Sequence, residues 1–284
     1  MILPNFLILG EMKSGTSALY YQLRQHPDIY MDVKEIHYFT LGLDKYPFAK
    51  AKTLEEYANF FVGVNGQKAV GEDSPSYLAH PEASQRIKSL LPDVKMVAVL
   101  RDPVERAYSH FWHERMRVEN AEPLDDFLTA FHAYDHRWSS YKNRGFYYQN
   151  LMRYKALFDW DRQIKPIIYD DYRREPVRVI QELFEFLEVD PTVQTEQKWY
   201  WKTGVPKNKA LLDLMRSKNI FAAVAKLVLP GKLRKRLKIR IYNSNLQAPP
   251  PLDPQIRADL IALYRDDILH LQDLLKRDLA NWLQ

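Results

Sequence analysis

A chain of 284 residues can form one large α/β domain or two small ones, and 46% hydrophobic with 13% aromatic residues supplies a sizeable core, which excludes global disorder. The 41 Lys and Arg outnumber 36 Asp and Glu to give a net charge of +5, which suits anionic ligands but is too modest and too evenly spread to mark a nucleic-acid binder. Cysteine is absent, so disulfides, thiolate metal sites and cysteine nucleophiles are excluded, in keeping with a reducing compartment.

Residues 1–13 carry too short an apolar stretch for a secretory h-region. No run approaches the roughly 18 apolar residues of a membrane span, so a cytoplasmic chain without a transmembrane segment is expected. Residues 6–9 (FLIL) form a continuous apolar run, as in a strand buried on both faces of a parallel sheet. Residues 16–25 read as a helix, with Leu19 and Leu23 one turn apart and His26-Pro27 closing it. Residues 68–72 are a short strand, and 81–91 a helix with Ala83, Ile87, Leu90 and Leu91 on one face. KMVAVL (95–100) is the clearest strand. A helix over 104–116 follows it, with Asp102 as N-cap and Pro103 at the first helical position. A helix over 148–158 leads to a strand, KPIIYDDY, over 165–172. Residues 228–240 are strongly basic, their run 231–240 reads as a solvated face, with a surface for an anionic acceptor or a membrane as the alternative, and 247–254 (QAPPPLDP) form a rigid connector. Beyond it Ile256, Leu260, Leu263, Ile268, Leu271, Leu275 and Leu279 outline a long amphipathic helix that packs back on the domain. Strands alternating with helices predict an α/β, doubly wound parallel sheet with ligands at the strands' carboxyl ends.

Two stretches carry the chemistry. GEMKSGTS (10–17) joins a strand to a helix with Gly10 and Gly15 at P-loop spacing, which aims backbone amides and a helix dipole at an anion. Thr16 and Ser17 can add hydroxyls. Lys13, however, lies inside the loop, where a nucleotide triphosphatase would place its lysine after the second glycine. In the second stretch, residues 94–115, Arg101 ends a buried strand and Ser109 sits nearly two turns into the next helix. A guanidinium and a hydroxyl facing the same crevice suit a second phosphate. The plainer alternative pairs Arg101 with Asp102 or Glu105 at the surface.

Together these stretches resemble a known family. GEMKSGTSALYYQL is similar to the 5′-phosphosulfate-binding loop of sulfotransferases that use 3′-phosphoadenosine 5′-phosphosulfate (PAPS), and VLRDPVERAYSHFWH resembles their 3′-phosphate-binding strand and helix. KEIHYF (34–39) resembles the acidic catalytic segment of the heparan sulfate branch, with Ile36 where proline is usual. VGEDSPSYL (70–78) and the closing stretch 263–283 resemble bacterial members, so the likeness covers nearly the whole chain.

The resemblance implies a P-loop-like three-layer α/β fold, a central parallel sheet flanked by helices, with 1–284 as a single sulfotransferase domain that includes the basic segment 228–246 and the helix 254–283. It places Lys13, Ser14, Gly15, Thr16 and Ser17 on the phosphosulfate and Arg101 and Ser109 on the 3′-phosphate. Lys13 also neutralises charge on the leaving phosphate, so no metal is needed. Glu35 becomes the general base, with His37 or His113 orienting the acceptor or steadying the departing oxygen. Gly204 and Lys207, in WKTGVPKNK (201–209), resemble a late loop over the 3′-phosphate. The acceptor is then a hydroxyl or amine of a carbohydrate or a small metabolite, with no nucleic-acid partner. A P-loop kinase and a catalytically inactive nucleotide-binding protein are the alternatives, separated by Mg²⁺-dependent ATP turnover and by donor turnover.

Overall fold

The computed structural model describes residues 1–41, 49–117, 126–132, 140–197, 204–208, 237 and 240–284. Five strands, β1 (Phe6–Gly10), β2 (Ile29–Tyr30), β3 (Ala69–Asp73), β4 (Lys95–Leu100) and β5 (Ile164–Ile168), form one sheet in the order β2-β3-β1-β4-β5. Every pairing in it is parallel. The helices are α1 (Thr16–Leu23), α2 (Leu54–Ala58), α3 (Ala83–Leu90), α4 (Pro103–Arg117), α5 (Phe127–His132), α6 (Tyr147–Lys155), α7 (Trp160–Gln163), α8 (Tyr169–Arg174), α9 (Pro176–Phe186) and α10 (Pro254–Leu275).

Strand geometry sends alternate side chains to opposite faces, and the two cores follow that alternation. Phe6, Ile8, Val97 and Val99 meet Leu19 and Leu23 of α1, Tyr172 of α8 and Ile180 and Leu183 of α9. Leu7, Leu9, Met96, Ala98 and Leu100 pack on the other side with residues of α3, α4, α6 and α10. The central strand is therefore buried on both faces, which is why β1 and β4 read as unbroken apolar runs.

Several elements differ from the sequence expectation. Helix α1 ends at Leu23, and the two-residue β2, too short for any periodicity, has no sequence signal. The run expected as a strand over 165–172 divides. Its first half is β5, but Tyr169 opens α8, where Asp170 and Asp171 sit in the favourable first turn. Helix α10 stops at Leu275, where Lys276 turns left-handed, rather than running to 283, so Leu279 lies beyond it; within it Leu263 is exposed and Tyr264 continues the buried stripe. Of the basic segment, residues 228–236, 238 and 239 lie outside the described residues.

Helix α10 is fastened by polar contacts as well as by its apolar stripe. The Asp267 carboxylate accepts from the Tyr148 amide at 2.9 Å and the Gln149 amide at 3.2 Å, capping α6 from a distant part of the chain. The Tyr264 hydroxyl donates to Lys142 O at 2.9 Å. At the other end Arg257 reaches α4, contacting Asp102 and Glu105 at 3.0 Å each. Burial raises the Asp267 carboxyl to about 6, partly opposed by the amides it accepts. Asp267→Ala should lower stability by about 1–3 kcal/mol, because two amides of the α6 first turn lose their acceptor. Asp267→Asn should cost less at neutral pH, since the folded chain favours the uncharged side chain. With its folded value raised, the group's contribution is fully present below the ordinary Asp range and is lost as pH rises through about 6. Urea denaturation of both variants between pH 4 and 8 checks the order and the sign.

Candidate active site

The loop after β1 has the shape of an anion cradle. Gly10 sits at φ 140, and a Cβ there would come within 2.8 Å of Pro75 O, so only glycine lets the chain turn this close to the segment after β3. Gly15, at φ 94, opens α1 without a capping side chain; the Ala18 amide donates to Gly15 O, which leaves the Thr16 and Ser17 amides for an external acceptor. Lys13 itself is held in the left-handed region at φ 71. The Ser14 hydroxyl is fully buried and has no hydrogen-bond partner among the described residues. An anionic oxygen in the loop would satisfy both the hydroxyl and the amides.

Arg101 closes the other side. Its guanidinium donates to Lys13 O at 3.3 Å and lies 5.2 Å from the centre of the Tyr169 ring. A cavity of about 190 Å³ lined by Arg101, Glu105, Tyr169 and Arg173 adjoins it. Arg101 also meets Glu105 at 3.4 Å, so the surface pairing is partly realised. The α4 cap and Arg257 nevertheless share out these carboxylates. Asp102 accepts from the Val104 and Glu105 amides at 2.8 and 3.1 Å as well as pairing with Arg257. Ser109 is buried further along α4.

The segment bearing Glu35 lies along β3. Lys34 forms a parallel bridge with Asp73, and the Glu35 amide donates to Asp73 O at 2.7 Å. Glu35 and His37 are both left-handed, at φ 57 and 59. The His37 amide donates to Ser74 Oγ at 3.0 Å, and His37 Nδ1 shares a 2.6 Å hydrogen bond with Ser76 Oγ. Tyr38 stacks on Tyr57 at 4.4 Å, while Ile36 is buried in the core. Buried Glu72 anchors this arrangement, accepting from Tyr57 at 2.5 Å, Tyr77 at 2.6 Å and Ser74. Isoleucine in place of proline thus leaves a backbone path fixed by β3 and by packing.

Charges converge here. Burial, and then the positive Arg101, lower the Lys13 ammonium to about 8; Lys34 adds to the effect, while Glu114 and Glu35 oppose it. Burial raises Asp73 to about 6 against the pull of Lys34. Beneath the loop, Arg144 donates to Glu11 at 2.5 Å and to Pro75 O at 3.1 Å, tying β1's exit to the segment after β3. Removing one partner of such a buried pair typically costs about 3–5 kcal/mol. His110, buried one helical turn before His113 and Glu114, is held well below the usual histidine range by burial, reinforced by Arg106 and Arg144.

The structure therefore gathers Lys13, Ser14, Gly15, Thr16, Ser17, Arg101 and Glu35 at one sheet edge. His37 turns its ring nitrogen to Ser76, and His113 stands partly exposed on α4. Gly204 and Lys207 belong to a separate ladder, where β6 (Val205–Pro206) pairs antiparallel with β7 (Leu246–Gln247). There the Lys207 ammonium donates to Ser244 O at 3.0 Å, and a Cβ on Gly204 would lie 2.5 Å from Gln247 O. Residues 201–203 and 209 of that loop lie outside the described residues. Lys34, Asp73, Glu72 and the Glu11–Arg144 pair escaped the sequence reading. Lys34, Glu72 and Asp73 fall inside the stretches 34–39 and 70–78, but no local pattern marks them or the Glu11–Arg144 pair as buried.

The profile of the sulfotransferase domain matches residues 3–215. The chain belongs to the sulfotransferase family. Mouse bifunctional heparan sulfate N-deacetylase/N-sulfotransferase 4 is 28% identical over 99% of this chain and 31% of its own length. The membrane-associated sulfotransferase kil1 of Dictyostelium discoideum is 37% identical over 44% of this chain and 26% of its own. The chain thus spans under a third of the length of these relatives. A sulfotransferase from Alicyclobacillus acidocaldarius superposes with a TM-score of 0.73 at 26% identity, with both chains fully covered. These likenesses agree with the three-layer α/β fold expected from the sequence. Among the described residues no helix is long and apolar enough to cross a membrane.

An anion in the loop favours protonated Lys13, whose free value is about 8. The affinity for a phosphate-bearing anion should therefore be nearly flat in its Lys13 contribution below pH 8. Above it, affinity should fall by up to about tenfold per pH unit, with proton uptake on binding. Calorimetric titration in buffers of different ionisation heat checks both, and Lys13→Met should abolish the uptake.

Proposed function

We propose that this chain moves the sulfuryl group of PAPS onto a hydroxyl or amine of a carbohydrate or small-molecule acceptor, by in-line displacement, within one domain spanning 1–284. The observation that carries the reading is the loop itself. A left-handed Lys13, a buried Ser14 hydroxyl unpartnered among the described residues and an uncapped α1 form a cradle for an anion, with Arg101 docked behind and Glu35 in the same electrostatic neighbourhood.

The donor supplies the sulfuryl group: its S–O bond to the 5′-phosphate breaks as a bond from sulfur to the acceptor oxygen or nitrogen forms. Ser14, Gly15, Thr16 and Ser17 hold the phosphosulfate through amides and hydroxyls, and Lys13 takes up the charge that develops on the leaving phosphate. Arg101 and Ser109 hold the 3′-phosphate. Glu35 receives the acceptor proton, and His37 or His113 orients the acceptor. The fixed cations and amides supply the charge stabilisation that a kinase draws from Mg²⁺, so no metal is required. The heparan sulfate relatives support a carbohydrate acceptor, and the anion cradle serves a small metabolite equally well. The reading places the chain in the cytoplasm and involves no nucleic acid.

Incubation with sulfur-labelled PAPS and a metabolite extract should give a labelled product, with or without EDTA. Loss of turnover in EDTA that Mg²⁺ restores, together with ATP consumption, would favour a kinase, and bisphosphate binding without any turnover would mark an inactive protein. Glu35→Gln should lower the single-turnover rate by roughly 10²–10⁴-fold while calorimetry shows nearly unchanged bisphosphate binding. A variant that transfers at the wild-type rate moves the base elsewhere, with His113 and His37 next to be tested.

A further inference from the structure

The ammonium of Lys34 occupies the boundary between the donor loop and the base. It donates to Ser17 Oγ at 2.5 Å, lies 3.2 Å from Asp73 Oδ2 and 3.9 Å from Glu35 Oε1, and stands 5.4 Å from the centre of the Tyr20 ring. This is no surface ion pair: the Lys34 side chain is 18% exposed and Asp73 0%. Both Asp73 carboxylate oxygens are buried without a hydrogen-bond partner among the described residues, so Lys34 meets Oδ2 as an ion pair, a costly arrangement for a carboxylate. Nor is the pair needed to fasten the segment to β3. The Lys34–Asp73 backbone bridge, the Glu35 amide on Asp73 O and the His37 amide on Ser74 Oγ already do that. The side-chain pair therefore fixes where a positive charge sits.

That charge lies close enough to Lys13 to help lower its pKa, and Arg101 acts on Lys13 in the same sense. Three cations set against one another at the mouth of an anion cradle are mutually unfavourable until a ligand brings several negative oxygens. Lys13 and Arg101 lie on the phosphate side, and Lys34 alone of the three borders both Ser17 and Glu35.

We propose that Lys34 contacts the sulfuryl oxygens of the bound donor, and that Asp73 is the positioning residue that holds its ammonium between Ser17 and Glu35. This rests on the sulfotransferase reading above. No proton moves through the pair. Lys34 stays charged while the S–O bond to the phosphate breaks and the bond to the acceptor forms, and it offsets the negative charge carried by the sulfuryl oxygens.

The product adenosine 3′,5′-bisphosphate lacks the sulfuryl group, which makes the inference testable without knowing the acceptor. Calorimetry with PAPS and with the bisphosphate is run on the wild type, on Lys34→Met and on the double variant Lys34→Met/Asp73→Asn. The double variant removes both charges and leaves no buried carboxylate unpaired. Both variants should bind the bisphosphate within about threefold of wild type and PAPS about ten- to hundredfold more weakly, the range of one charge-assisted hydrogen bond. Asp73→Asn alone should show a smaller selective loss for PAPS, and Lys34→Arg should recover part of it. Release of inorganic sulfate from PAPS, with water as acceptor, should fall in the same order. Equal weakening of both ligands in the double variant would reduce the pair to a structural tie and overturn the inference, as would unchanged PAPS binding. A wild type that binds neither ligand would overturn the sulfotransferase reading itself.

Discussion

The parallel pairing of β1 with β3 on one side and β4 on the other is the constraint on which the site depends. Parallel neighbours bring their carboxyl ends to the same edge, so the loop after β1, Asp73 at the end of β3 and Arg101 after β4 emerge together although they are far apart in sequence. The register is specific. Phe6 faces Gly71 on one neighbour and Lys95 on the other, and a Cβ at Gly71 would fall 2.0 Å from the Phe6 ring. Burial of β1 on both faces penalises any slip, since a shift by one residue would exchange the two cores.

On that edge the backbone departs from its ordinary conformations where function is proposed. Lys13, Glu35 and His37 all have positive φ, a region that costs non-glycine residues free energy. Buried polar networks hold them there. Glu72 collects three hydroxyls beneath the 34–39 segment, and Glu11 with Arg144 braces the exit of β1. Such networks are stabilising only when nearly every member is satisfied, which explains the density of tyrosine and serine around Glu72. Its own pKa is raised by burial, while the hydroxyls pull it back toward the charged form.

The electrostatic design is equally local. A net charge of +5 says little, whereas Lys13, Lys34 and Arg101 concentrated around one helix N-terminus create a field for an anion at a single place. The counter-charges are graded by burial. Asp73 is sealed from water, Glu35 is partly open, and Glu105 is drawn toward Arg257 of α10. The C-terminal helix thereby reaches the edge of the site, because Arg257 shares Glu105 with Arg101 and pairs with Asp102.

The sequence by itself determined the elements whose signals are local: the apolar strands β1 and β4, the glycine-bounded loop with its misplaced lysine, and the RDP start of α4 with its Asp102 cap. The α/β class and the sulfotransferase likeness followed from these, because each depends on residues adjacent in the chain. Tertiary structure alone decided that KPIIYDDY breaks after Ile168, where the sheet edge ends and the chain gains more from a helix than from an unpaired strand. It also decided that Tyr264, not Leu263, faces the core, a choice set by the rotation of α10 against α6. Lys34, Asp73, Glu72 and Arg144 were legible only as ordinary charged residues. Their roles come from burial and from partners up to 133 residues away, and no local pattern encodes which distant strand will exclude water from a carboxylate.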